Sequence, residues 1–242
     1  GNLEHRRRSA WIRSHGVYPR YPFQSHFHGL PPEVVAECLD GLIEARCKKH
    51  RGAPRHFAEW VLRAFGPGVA RHFMFPYNRK LWTVPPEKLT TEWLGRFVPR
   101  PDLRRVIRGA VSDFHDDAGY NPVFRYPARG GIGALVDALA RGVSNLVCGA
   151  GVKTVRLDRR RVVLDSGQEI SYQNLVSAAP LPMLVRMCRP VPKAVRAAAR
   201  RLRWASVYNL NLGVRADPRG RSWVYVPEKR YRLYRFGYTA SF

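Results

Sequence analysis

Phe75-Pro-Tyr-Asn-Arg-Lys-Leu-Trp82, Arg96-Phe-Val-Pro-Arg100 and Gly119-Tyr-Asn-Pro-Val-Phe-Arg-Tyr-Pro-Ala-Arg-Gly-Gly131 all fall between Phe65 and Leu135. Rings and guanidinium groups alternate through this block, in segments whose prolines and glycines argue against plain helix. A desolvated guanidinium needs a partner to offset its burial, so the mixture suits a site for a flat, anionic ligand better than a core. Arg96 and Arg100, four apart around Val98-Pro99, offer two planar forks for phosphate oxygens. Each charge-assisted bond of that kind is worth roughly 1.5 to 3 kcal/mol. Trp82, Tyr120 and Phe124 offer flat faces for a base or a sugar ring.

Working outward from the block, the patterns on its two sides differ. Residues 17–28 alternate as extended chain around Tyr21-Pro-Phe-Gln24, and a helix follows from Pro32 with Val35, Cys38, Leu39, Leu42 and Ile43 on one face. Helical spacing recurs from Pro54 to Phe65, where Gly66-Pro67 is a stop, then over Gly68 to Phe75, 101–111 and 132–142. Beyond it the period shortens. Val152–Leu157, Val162–Leu164 and Glu169–Tyr172 alternate as strands, and Leu175-Val-Ser-Ala-Ala-Pro180 reads as a buried strand entering a tight turn. A basic helix, Lys193–Leu202, precedes three expected strands, Ser206–Val214, Ser222–Val226 and Arg232–Phe236. The fold class expected is mixed α+β, helices grouped in the first half and mostly antiparallel sheet in the second.

With 242 residues and 45% hydrophobic content the chain has material for a sizeable core. No apolar run approaches the roughly eighteen residues of a membrane span, and there is no signal-peptide core. The formal charge of +24 invites a nucleic-acid reading, but its 35 Arg and 7 Lys are scattered rather than gathered on one motif. A generally basic surface without a specific nucleic-acid partner is expected, and a basic nucleic-acid-binding protein is the alternative of another class. Cys38, Cys47, Cys148 and Cys188 form no C-x-x-C pair, so reduced thiols in a cytoplasmic protein are expected. His26-x-His28 and His115-Asp-Asp117 lack a second ligand cluster, and no metal site is expected. The chain starts without methionine and ends in a strand-like run, so an internal piece of a longer protein is expected.

Taken together, Pro76-Tyr-Asn-Arg-Lys-Leu-Trp82, the arginine fourteen residues later, Gly119-Tyr-Asn-x-x-Phe124, Tyr126-Pro-x-x-Gly-Gly131 and Ser177-Ala-Ala-Pro180 resemble the interior of an FAD-dependent protein. The group is the flavin amine oxidase and protoporphyrinogen oxidase-like superfamily. The likeness is greatest to the branch related to UDP-galactopyranose mutase, which Tyr21-Pro-Phe-Gln24, Leu30-Pro-Pro-Glu33 and Trp223-Val-Tyr-Val-Pro-Glu228 also fit. It covers nearly the whole chain.

The resemblance implies an FAD cofactor and a small-molecule substrate, such as a sugar nucleotide. Trp82 and Arg96 match positions that steady such a substrate, Arg100 a second basic position, and Tyr120 and Phe124 an aromatic wall. Tyr234 and Arg235 correspond to later pocket residues. Val152 matches the residue whose backbone meets the adenine, and Ala179-Pro180 lies where the chain turns beside the cofactor. The implied organisation is an extended part of a substrate domain over 1–30 and a helical substrate-side region over 31–115. Part of an FAD-binding domain over 116–185 and a substrate-domain sheet over 186–242 complete it. The first implied activity is an FAD-dependent oxidoreductase and the alternative a flavin-dependent sugar-nucleotide mutase, with flavin rather than a side chain at the centre of the chemistry. The sequence departs from the family in having no G-x-G-x-x-G strand-to-helix turn for the pyrophosphate, so the Rossmann-like N-terminal unit is expected to be missing. The 242 residues alone are therefore expected to be inactive.

Overall fold

The computed structural model describes residues 1–114, 122–215 and 219–241, and the side chains of all of these except Arg96 and Ala240. The chain forms two compact units, one of Gly1–Ile132 with Tyr208–Phe242 and one of Gly133–Val207.

The first unit is built on a helical pair. Helix α1 (Pro32–Cys47) starts at a proline, with Glu33 in its first turn and Arg46 in its last, charges placed to complement the helix dipole. Helix α2 (Phe57–Val69) is capped at His56, whose Nδ1 accepts from the Glu59 amide at 3.2 Å. The Glu59 carboxylate reaches back to the Arg55 amide at 2.9 Å, a reciprocal closure of the first turn.

The expected stop at Gly66-Pro67 is a kink rather than an end. Gly66 sits at φ 74°, and the chain runs on through Val69 into a π-turn (Ala70–Met74) and helix α3 (Phe75–Trp82). Phe75–Trp82 is thus plain α-helix, against the expectation from its proline. Pro76 lies in the first turn, where a missing amide costs nothing. A Cβ on Gly66 would meet the Gly41 carbonyl oxygen at 2.0 Å, so α1 and α2 cross backbone to backbone. That crossing rotates the buried stripe of α1 onto Val34, Cys38, Gly41, Leu42 and Ala45, and leaves Ile43 of the expected face exposed.

Residues 17–28 form no named strand, only the single antiparallel bridges Ser14–Val17 and Trp11–Arg20. They include a short 3-10 turn, Phe23–Ser25, and drive Phe23 and Phe27 into the core. Both Phe27 and His28 amides donate to the Gly109 carbonyl at 2.8 Å, fixing this segment on helix α4 (Leu103–Val111). Asp102 caps α4 by accepting from the Arg105 amide. Two small sheets complete the unit. Strand β1 (Leu3–Arg7) pairs antiparallel with β3 (Val123–Pro127), Arg6 opposite Phe124. Strand β2 (Ala10–Ile12) runs parallel to β8 (Trp223–Tyr225), which pairs antiparallel with β9 (Arg235–Gly237).

The second unit carries helix α5 (Gly133–Arg141) and a four-stranded sheet in the order β6-β5-β4-β7. Its strands are β4 (Val152–Arg156), β5 (Arg161–Leu164), β6 (Glu169–Ser171) and β7 (Cys188–Arg189). Helices α6 (Leu181–Met187) and α7 (Lys193–Arg201) follow.

Two expected strands are absent. In 175–180 Val176 is 96% exposed, and in 206–214 Tyr208 is 98% exposed. Neither segment joins a ladder among the described residues. An apolar run becomes a strand only when a partner satisfies its amides and carbonyls, and periodicity does not report the partner.

Candidate active site

A stack of rings crosses the first unit and ends in a group of tyrosines. Phe23 lies on Phe73 (centroids 5.1 Å apart, 10° between planes) and Phe73 on Tyr77 (5.1 Å, 7°). Tyr77 meets Tyr225 edge-on at 5.5 Å, and Tyr225 stacks on Tyr21 at 4.8 Å. Tyr234 approaches Tyr77 at 6.3 Å. The four tyrosines come from the 17–28 segment, from α3 and from the β8–β9 hairpin. Phe73 and Tyr77 are four apart in the helical run that passes from the π-turn into α3, the spacing that puts two side chains on one face.

Charge surrounds these rings. Arg8 lies 5.5 Å from the Tyr21 centroid and donates to the Tyr225 hydroxyl. The Arg235 guanidinium sits 4.2 Å over Trp223 and 5.8 Å from Tyr234, so a planar cation is held between rings. Burial pushes the Tyr21 hydroxyl up to about 12, against the pull of Arg8, and raises Tyr77 as well. Both stay protonated at neutral pH, so their hydroxyls can donate to a ligand but cannot serve as bases. Burial also lowers the Lys80 ammonium from its usual range, with Glu228 opposing the shift. The arrangement offers neutral hydroxyls, ring faces and a cationic fork, groups whose chemistry suits an anionic ring-bearing ligand.

The residues singled out in the sequence fall in several places. Tyr234 and Arg235 are in the tyrosine group. Trp82, 38% exposed at the end of α3, packs on Trp93 at 5.4 Å. Arg100 lies over Trp60 at 5.0 Å, in an open groove of about 480 Å³ formed with Pro54, Thr91, Leu94 and Pro99. The backbone of Arg96 is in the 3-10 turn Gly95–Phe97. Phe124 meets Tyr126 edge-on in β3, and Tyr120 lies outside the described residues. Val152 opens β4. Ala179, whose amide donates to Ser177 Oγ, and Pro180 precede α6. Of the two histidine motifs, His26 is buried with Nδ1 3.1 Å from the Pro22 carbonyl, and His115-Asp-Asp117 lies outside the described residues. Nothing local in the sequence marks Tyr21, Tyr77, Tyr225 and Arg8 as a group: their partners are far away along the chain, and the three tyrosines differ from others only in lying inside the quoted motifs.

Comparison with known proteins resolves what this scaffold is. A model of the flavin containing amine oxidoreductases matches residues 35–232. The chain belongs to that family. A crystal structure of reduced UDP-galactopyranose mutase superposes on the whole chain with a TM-score of 0.87 and 28% sequence identity. The PF1083 protein of Pyrococcus furiosus matches 99% of the chain at a TM-score of 0.59 and 14% identity, which shows the fold alone. The chain covers 54% and 56% of these two proteins, about half of each.

Membership of this flavin family asks which residues fit such a cofactor. In β4 the register against β5 slips between Val152 and Thr154, which leaves Lys153 as an unpaired bulge beside a half-exposed Val152. Backbone groups outside a ladder suit the edge of a flat heteroaromatic ring. Gly149-Ala-Gly151 does not suit a pyrophosphate. A Cβ on Gly151 would meet Asp165 Oδ2 at 2.1 Å, so this glycine accommodates a carboxylate, which repels phosphate. The bulge at Lys153 thus leaves backbone groups for the edge of a flat ring, while Gly149-Ala-Gly151 does not fit a phosphate. Among the described residues no group of His, Cys, Asp and Glu is arranged to hold a metal, and no helix is long and apolar enough to cross a membrane.

Proposed function

We propose that this chain forms the substrate side of a flavin-dependent enzyme that binds a sugar nucleotide and isomerises its sugar. The observation that carries the reading is the tyrosine group with Arg235 over Trp223, in a chain 28% identical along its whole length to a protein described as a UDP-galactopyranose mutase. Trp82 and the tyrosine rings would hold the sugar and base. Arg96, Arg100 and Arg235 would neutralise the two phosphates, and Tyr120 and Phe124 would close a wall. Val152, Ala179 and Pro180 would contact FAD, which supplies the nucleophilic and electron chemistry when bound. In domain terms, 1–30, 31–115 and 186–242 serve the substrate and 116–185 the cofactor. The four free thiols, two of them exposed, favour a cytoplasmic setting.

An FAD-dependent oxidoreductase is the second reading, and the family match over residues 35–232 favours it. One assay separates the two. The full-length protein, reduced by dithionite without oxygen, is incubated with UDP-galactopyranose and the nucleotide sugars are resolved by chromatography. The five-membered-ring isomer is the expected product. Its absence, together with turnover of an oxidisable substrate by an electron acceptor, would replace the mutase reading with the oxidoreductase.

A further inference from the structure

Lys80 uses its whole donor capacity on one loop. Its Nζ donates to the carbonyls of Val226 at 2.9 Å, Glu228 at 2.7 Å and Leu233 at 3.1 Å. An ammonium has three N–H bonds in fixed tetrahedral directions, and here all three end on backbone oxygens from both arms of the β8–β9 hairpin. The hairpin closes just beyond them, where the Val226 amide donates to the Tyr234 carbonyl at 2.9 Å. The charges nearby are Glu228, paired with Arg13 at 3.1 Å and Arg230 at 3.0 Å. Among the described residues no carboxylate takes the lysine directly. Its charge serves the carbonyls.

The same helix carries Tyr77 one turn earlier and Trp82 two residues later, while the clamped loop delivers Tyr234 and Arg235. We propose that Lys80 is a positioning residue that sets the spacing between two walls of the substrate site, α3 with Tyr77 and Trp82 and the hairpin with Tyr234 and Arg235. Three backbone acceptors tie the loop to α3 whatever its side chains are. A neutral side chain of similar length would leave three carbonyls without their donor and free the loop to move. Lys80 touches neither substrate nor cofactor in this scheme. It acts through Tyr234 and Arg235, and the consequence rests on the sugar-nucleotide reading above.

The test uses the full-length protein and the variants Lys80→Met and Lys80→Arg. Hydrogen exchange of the amides in 229–235 should quicken at least tenfold in Lys80→Met, while the α1–α2 core exchanges as before. With UDP-galactopyranose the KM should rise about tenfold, the kcat should stay within about threefold, and flavin affinity should not change. Lys80→Arg keeps the charge and some donors, so it should recover part of both effects, and it also serves if Lys80→Met fails to fold. Unchanged loop exchange in the variants would overturn the clamp. Quickened exchange with an unchanged KM, in a wild type that turns over, would overturn the positioning role. A wild type that does not turn over at all would overturn the mutase reading instead, and the exchange measurement would still decide the clamp.

Discussion

Arg235 shows how one side chain can serve both packing and recognition. Its guanidinium is spread over Trp223 and beside Tyr234, which orders a long flexible side chain before any ligand arrives. Arg235→Ala should weaken an anionic sugar nucleotide by ten- to hundredfold, about 1.4 to 3 kcal/mol, and leave flavin binding intact. Arg96→Ala is expected to behave alike. Titration calorimetry with UDP-galactopyranose checks both, and equal loss of flavin would show that the residue supports the fold rather than the substrate. Arg235 and Tyr234 could be picked from the sequence because the family resemblance places later pocket residues there. The tyrosines that complete the group could not. Tyr77 and Tyr225 touch across a separation that only the folded chain closes, and composition does not say which of eleven tyrosines will meet.

Among the elements, the α1–α2 crossing is the strictest demand on sequence. Gly66→Ala introduces a Cβ 2.0 Å from the Gly41 carbonyl oxygen at a residue with φ 74°, so it is strained sterically and conformationally. It should cost more than about 3 kcal/mol or prevent folding, whereas Gly41→Ala, facing the Pro67 ring at 2.9 Å, should cost less. Thermal melts of the two variants give the order. The start of α2 carries a pH signature. The Arg55 amide and guanidinium, with Arg63, hold the Glu59 carboxylate at about 2, below its ordinary 4.5. A depressed folded value means that this stabilisation is complete above pH 4.5 and fades as pH falls toward 2. The melting temperatures of wild type and Glu59→Gln should therefore differ most above pH 4.5 and converge near pH 2. Helices were legible because apolar spacing and Pro or Gly punctuation are local. The strands expected over 175–180 and 206–214 failed because a strand is defined by its neighbour, and α3 was obscured because proline forbids only the interior of a helix.

At the scale of the whole molecule, the charge and the exposed apolar chain tell different stories. The net +24 is carried mostly by scattered arginines, several of them engaged with rings or carboxylates, as Arg20 is with Trp11 and Asp113. Helix α5 buries none of its residues, and Leu135, Val136 and Leu139 stand 43%, 61% and 67% exposed. The cofactor edge proposed at Val152 and Lys153 rests on a bulge in β4, the sequence has no G-x-G-x-x-G turn for a pyrophosphate, and Gly151 is committed to Asp165. Phosphate recognition at a helix N-terminus normally contributes much of dinucleotide affinity, since it combines amide donors with the helix dipole. The 242 residues alone should then bind FAD too weakly to retain it through gel filtration, while a longer chain that carries a G-x-G-x-x-G turn should elute yellow with flavin absorbance. Fluorescence titration of FAD against both preparations makes the comparison quantitative. If the 242-residue chain held flavin as tightly as the longer one, phosphate recognition would have to come from residues within it. The adenine-edge assignment of Val152 would then need to be replaced by a complete cofactor site.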